Sequence, residues 1–291
     1  MPVNQYEIHP FSGRPFQLYE FLRTSNGVDF YWRYNSSDRD VWYNHAKWKA
    51  IPISDNGIRL SGEAQSTDLE VTMPINEEFT EQFRLLGSVP SDTVWLRIRR
   101  CHVGDIDFTT EPTQPTIVPD AMVIWIGTIN GISQTGELEA KVRGSMLSAS
   151  LRRGGLRYGF QKNCPHVLYA PNTCKVNKED FRTTGAVLAI DGNQITVAEF
   201  GDQDEGWFDG GWVEYTLASG MVERRMILTS TGSDIFIMGI PAGMAVGDTI
   251  SAFAGCDRTI PVCVDKFDNL DNYGGFPHSP GRNPFDGNPV F

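Results

Sequence analysis

Ala186-Val187-Leu188-Ala189-Ile190-Asp191-Gly192-Asn193-Gln194-Ile195-Thr196-Val197-Ala198 sets two apolar runs on either side of an Asp-Gly pair. Asp-Gly tolerates the positive φ angles of a tight turn, so the stretch predicts a β-hairpin turning at Asp191-Gly192. Just downstream, Val213-Glu214-Tyr215-Thr216-Leu217 and residues 223–229 flank Ala218-Ser219-Gly220 and predict a second hairpin. Residues 235–240 and 249–254 complete a plausible meander, from whose last strand Cys256 and Cys263 emerge.

The upstream half carries the same period. In Leu69-Glu70-Val71-Thr72-Met73-Pro74-Ile75 and Val94-Trp95-Leu96-Arg97-Ile98-Arg99 the apolar residues alternate, as in half-buried strands, and Pro74 marks an edge or exit. Between them, residues 76–87 form the best helix of the chain. Asn76 is its cap, Glu77 and Glu78 favour the positive end of the dipole, Phe79, Phe83 and Leu86 make one stripe, and Gly87 stops it. The basic, glycine-containing stretch Leu151-Arg152-Arg153-Gly154-Gly155-Leu156-Arg157 reads as a joint. From Lys266 onward the chain is rich in Gly, Pro and Asn without periodicity, an arm whose aromatics Phe267, Tyr273, Phe276 and Phe285 must dock to be ordered.

Composition limits the function classes. The 291 residues suffice for roughly two domains and a sizeable core, so no cofactor is needed to replace one. A formal charge of -11 repels nucleic acid and anionic membranes, so neither specific nucleic-acid recognition nor stable membrane insertion is expected. The start MPVNQYEIHPF lacks a basic segment leading into an apolar run, and no eighteen apolar residues occur together; the expectation is a chain made and folded in the cytoplasm. There disulfides are rare, and five cysteines, an odd number, suit thiol ligands plus one bystander.

Those ligands are Cys164 and Cys174, spaced C-x9-C, with Cys256 and Cys263, spaced C-x6-C. Free cysteine is also among the most buried residue types, and four of them in a chain this long are as often core residues as ligands. Here each pair brackets a short loop stiffened by proline, Pro165 and Pro171 in one and Pro261 in the other. Four soft thiolates suit structural zinc or an iron-sulfur cluster. Neither the C-x2-4-C zinc knuckle nor the compact ferredoxin run is present, so spacing leaves the two metals equally open. In the zinc case His102, His166 or His278 can stand in for a thiolate, although each reads more simply as an ordinary loop or surface residue. Cys101 reads as a buried thiol.

Enzyme signatures are weak. There is no Gly-x-Ser-x-Gly elbow, phosphate-binding Gly-x4-Gly-Lys-Ser/Thr loop or His-Glu-x-x-His helix. Cys164 near His166 lacks a third, orienting group. The acidic, aromatic stretch from Asp202 to Asp209, with Trp207 and the nearby Trp212, raises a glycan-binding or glycosidase reading, against the plainer one of a solvated turn.

The ordered set Cys164-x9-Cys174, Gly206-Trp207, Gly210-Gly211, Gly255-Cys256-Asp257-Arg258-Thr259, Cys263, Lys266-Phe267, Asn269 and Asn272-Tyr273-Gly274-Gly275-Phe276-Pro277 resembles the tail-tip or hub proteins of long-tailed (siphovirus-type) phages and gene transfer agents. The wider group includes the tail tip protein L of phage lambda. The resemblance is specific over residues 164–284 and weaker over residues 1–160, where it rests on Leu18-Tyr19-Glu20-Phe21, Trp32-Arg33-Tyr34 and Ser61-Gly62-Glu63; Tyr273 stands where phenylalanine is usual. It implies a non-enzymatic virion protein of the tail tip, assembled in the host cytoplasm, with a 4Fe-4S cluster on Cys164, Cys174, Cys256 and Cys263. It also implies a homotrimeric hub contacting the distal tail protein, the tape measure protein and the central tail fibre or receptor-binding protein. The expected fold is mainly β: a barrel- or sandwich-type hub domain over residues 1–158, a β-rich cluster-binding domain over 159–264, and an extended C-terminal arm over 265–291. The alternatives are a zinc-stapled assembly protein and a glycan-binding or glycan-hydrolysing tail module.

Overall fold

A computed structural model describes residues 15–58, 69–86, 89–102, 121–147, 159 and 161–279. The chain is mainly β and divides into two compact units, Met1–Arg153 and Gly154–Phe291. The expected joint at residues 151–157 lies outside the described residues, as does Phe285.

The first unit contains β1 (Pro15–Ser25), β2 (Val28–Asn35), β3 (Val41–Tyr43), β4 (Ala46–Ala50), β5 (Ser54–Asp55), β6 (Leu69–Pro74), α1 (Glu78–Leu86), β7 (Val94–His102), β8 (Met122–Thr135) and β9 (Glu139–Met146). Its strands make one nine-stranded sheet in the order β3-β4-β2-β1-β7-β8-β9-β6-β5, antiparallel except for β2 with β4. Strand β4 stands next to one end of this order and β5 is the other end, yet only residues 51–53 join them. Seven strand spacings of a flat sheet are about 34 Å. Four Cα steps reach at most about 14 Å. The sheet is therefore rolled until its ends approach, and Tyr19 of β1 donates across the roll to Asp55 of β5 at 2.9 Å.

Burial follows from the roll. Tyr19, Phe21, Trp32, Tyr34, Leu96 and Ile98 share the inner face and are buried. Against them lies α1, whose Phe79 stacks on Phe21 at 4.0 Å and meets Trp32 at 5.6 Å and Phe83 at 5.2 Å. The helix starts one residue later than a cap at Asn76 would give: the Glu77 carbonyl accepts the first helical bond, from Glu81 N–H, and Thr80 Oγ1 donates to carbonyls of the incoming turn, Ile75 at 2.8 Å among them. The Leu86 side chain and Gly87 lie outside the described residues. On the outer face, Phe16, Leu18, Val41, Trp48 and Cys101 form a second small core, which accounts for the odd cysteine.

The second unit holds the closed barrel, in the order β10-β11-β14-β13-β12-β15, from β10 (Arg182–Asp191), β11 (Gln194–Val197), β12 (Trp212–Thr216), β13 (Val222–Thr231), β14 (Asp234–Ile237) and β15 (Thr249–Phe253). Barrel closure thus belongs to the half where only a β-rich meander was expected. The connectivity is not a simple meander, because β11 pairs with β14 and β12 with β15. The opening hairpin is present with its turn one residue later: Asp191 pairs with Gln194, and Gly192 alone takes the positive φ, +60°, the position that a two-residue turn with leading glycine requires. Alternate residues Ile195, Val197, Val213, Tyr215, Ile227, Ile235, Ile237 and Ile250 fill the interior. Near the β12–β13 turn this lining becomes polar, with buried Glu223 and Arg225 paired at 3.4 Å.

Candidate metal centre

Beyond the end of β15 the chain enters a loop carrying Cys256 and then α2 (Ile260–Asp265), which carries Cys263. Pro261 suits the first turn of that helix, where its missing N–H has no intrahelical acceptor to lose. Cys164 and Cys174 come from residues 161–177, which lead into β10 through the short 3-10 turn Lys178–Phe181, capped by Asn177. The two loops are joined directly by Cys164 N–H donating to the Arg258 carbonyl at 2.9 Å. Tyr169 fastens the first loop to the barrel: its hydroxyl donates to the Ala254 carbonyl at 2.7 Å, and its ring meets Trp212 edge-on at 5.3 Å.

All four predicted cysteines line one cavity of about 70 Å³, together with His166, Leu168, Phe267, Asn269, Asn272 and Tyr273 among others. The sulfurs accept hydrogen bonds: Arg258 N–H reaches Cys256 Sγ at 3.3 Å and Gly274 N–H reaches Cys164 Sγ at 3.4 Å. Burial, then the neighbouring thiols of Cys256, Cys164 and Cys174, push Cys263 up to about 11; Cys256 is raised too, chiefly by burial. Such thiols are poor nucleophiles at neutral pH, and a thiophilic cation would bind them by displacing their protons. Among the described residues, no group of three His, Cys, Asp or Glu side chains is arranged to hold a single metal ion.

The backbone is strained around these loops. Tyr169, Lys175, Arg258 and Asp268 all have φ between 44° and 67°, and they are the only non-glycine residues described in this unit with positive φ. Lys175 follows Cys174 and Arg258 lies two residues after Cys256, so the strain is concentrated where the thiols are presented. Glycines permit the closest approach: a β-carbon on Gly255 would fall onto the Asp209 carbonyl, and one on Gly211 onto the Phe253 carbonyl. Only backbone without a side chain brings the loop of residues 206–211 under the Cys256 loop.

Sequence reasoning named the thiols and missed what aligns them. Lys266 donates to the carbonyls of Trp207 and of Gly255, the latter at 2.9 Å, and lies 4.4 Å from the centre of the Trp207 ring. Asn269 donates to the Cys174 carbonyl at 2.6 Å. Lys266-Phe267 and Asn269 appeared in the sequence only as matching letters, since their partners are far away along the chain. Of the three candidate histidines, His166 lines the cavity, its Nδ1 bonded to the Asn272 carbonyl at 3.1 Å; His102 is buried in β7 of the other unit, and His278 is exposed. Asp209 braces the fold, accepting from Ser230 N–H at 2.6 Å and Ser230 Oγ at 2.9 Å.

Fold and site together define a mainly β protein of two units, the second a closed barrel that presents four cysteines to one cavity at its end. Residues 206–283, which include Cys256 and Cys263, match the family described as "Phage conserved hypothetical protein BR0599". Among curated proteins, an "Uncharacterized protein" of Xylella fastidiosa (strain 9a5c) is 25% identical over 206 residues, covering 66% of this chain. The match spans 38% of that relative's length. Among solved structures, a chain of the "Virion of native gene transfer agent (GTA) particle" shares the fold with a TM-score of 0.74 and 18% identity, over 99% of both chains.

Proposed function

We propose that this chain is a structural protein of a phage or gene-transfer-agent virion, placed at the tail tip, with an iron-sulfur cluster stapling its second unit. The observation that carries the staple is the convergence on one cavity of four thiols from two loops separated by a whole barrel. The chemistry of the donor set suits a 4Fe-4S cluster: four soft sulfurs lining one cavity, with backbone N–H groups directed at two of them. Cys164, Cys174, Cys256 and Cys263 would hold the cluster. Bound there, it supplies metal–thiolate bonds that tie residues 161–177 to residues 256–263.

The virion reading is supported by the phage-family match at residues 206–283 and by the full-length likeness to a chain of a gene-transfer-agent particle. In this reading the chain forms a homotrimeric hub that links the distal tail protein and tape measure protein to the central fibre or receptor-binding protein. Its role is non-enzymatic. The bracing of Asp209 by Ser230 fits that role better than glycan cleavage.

Anaerobic purification followed by iron, acid-labile sulfide and zinc analysis tests the staple. The expected product is brown, contains about four irons and four sulfides per chain, and loses them in Cys256→Ser. A colourless protein with one equivalent of zinc replaces the cluster by a zinc staple. Virions lacking the chain are expected to have tails without tips; intact tips in its absence sink the virion assignment.

A further inference from the structure

Residues 268–279 fold back over the thiol loops, yet none of them is buried; Leu270 is 55% and Phe276 49% exposed. Apolar burial therefore does not hold this segment down, and polar links do. Asn269 is their centre. Its N–H donates to the Cys263 carbonyl at 3.0 Å, its carbonyl accepts from Cys263 Sγ at 3.3 Å, and its Nδ2 donates to the Cys174 carbonyl. The same Nδ2 lies 3.9 Å from Cys174 Sγ, while Oδ1 accepts from Asn272 Nδ2 at 2.6 Å. Further along, the Asn272 carbonyl meets His166, Gly274 N–H donates to Cys164 Sγ, the Tyr273 hydroxyl donates to the Lys162 carbonyl at 2.7 Å, and Phe276 N–H donates to the Gln161 carbonyl at 2.8 Å. Most of these anchors are cysteines or residues of the loop that carries Cys164; the Tyr273 hydroxyl also reaches the Arg258 carbonyl at 3.2 Å, and Asp268 N–H donates to the Val264 carbonyl at 2.9 Å, both beside Cys256 and Cys263.

We infer that docking of residues 268–279 is controlled by occupancy of the four-cysteine site, with Asn269 as the positioning residue that couples the two. Metal-bound sulfur is a thiolate, and the bonds from Gly274 N–H and Asn269 Nδ2 become charge-assisted on loading, roughly twice as strong as neutral ones. Cys263 then has no proton to donate, but the Asn269 carbonyl keeps its bond from Asn272 N–H at 3.2 Å. Loading also fixes residues 161–177, the platform on which the segment rests. A loaded subunit holds the segment on its own surface, whereas a stripped or oxidised subunit releases it to solvent or to a neighbour. The inference rests on the staple proposed above.

Hydrogen exchange on the full chain tests it, with residues 268–279 followed in protein loaded with ferrous iron and sulfide, in protein loaded with zinc alone, and after chelation. Loading is expected to slow exchange there by about tenfold or more while β13 stays unchanged. In Asn269→Ala, exchange stays as fast as in stripped wild type. Asn272→Ala, which removes the bond to Asn269 Oδ1, is expected to lose part of the protection. Equal exchange in loaded and stripped wild type overturns the coupling even if iron and sulfide bind. Protection by zinc without iron-sulfide uptake keeps the coupling and removes the cluster; uptake of neither removes both.

Discussion

At the scale of single residues, the second unit depends on backbones that touch. Gly255 faces the Asp209 carbonyl so closely that alanine displaces the Cys256 loop from the loop beneath it. Gly255→Ala is expected to lower metal retention strongly while the far end of the barrel, at the β12–β13 turn, keeps its exchange rate; unchanged iron content refutes this. In the first unit, Glu20 is enclosed by Arg33 and Arg97 at 3.2 Å and Arg99 at 3.4 Å. Glu20→Gln leaves three guanidiniums together, and a loss of about 1.5–3 kcal/mol in urea unfolding is expected, reduced by added salt. Glu214 gives a pH signature. Burial alone would raise its pKa, but bonds from Arg224 and Trp212 and the charges of Arg224 and Lys178 hold it below the usual 4.5. A depressed carboxylate stabilises the fold fully above its unfolded pKa and loses that contribution as pH falls through the folded one. Glu214→Gln should therefore flatten the stability profile below about pH 4.5, as melts across pH 3–6 would reveal. The thiols were legible at this scale because cysteine in paired, proline-stiffened loops is distinctive. Lys266 and Asn269 were not, because what they do is set by carbonyls brought from residues 174, 207 and 255.

At the scale of elements, local chemistry was legible and pairing was not. The hairpin of β10 and β11, the hairpin of β12 and β13 with Gly220 at φ +83°, and the strands at residues 69–74 and 94–102 all follow from period and turn residues. That β11 chooses β14 rather than β12 is a long-range matter, decided by which inner faces must close around the same apolar core. The helix was visible through Phe79 and Phe83, but its first residue was fixed by Thr80 turning back on the preceding carbonyls, a bond with no sequence signature. Phe79 is the hinge of that packing. Phe79→Ala is expected to cost about 3–5 kcal/mol, seen as an earlier urea transition of the first unit; a change below 1 kcal/mol shows that α1 is peripheral.

At the scale of the whole chain, the mainly β class follows from composition and alternation, whereas the roll of the large sheet depends on a connection of three residues between distant positions in strand order. Lengthening that connection tests its importance. Four glycine and serine residues inserted between Ile51 and Ile53 are expected to weaken the first unit by about 1 kcal/mol, since loop closure costs grow slowly with length. The same roll has a consequence for handling at high concentration. Among the described residues, the two strands that border the large sheet are its shortest, three residues in β3 and two in β5, and the barrel of the second unit closes on itself. Long bare strand edges are the templates on which β-proteins stack into aggregates. A mainly β chain packed densely among copies of itself is thereby left with little unpaired ladder to propagate, so its subunits can crowd together without zipping into fibres.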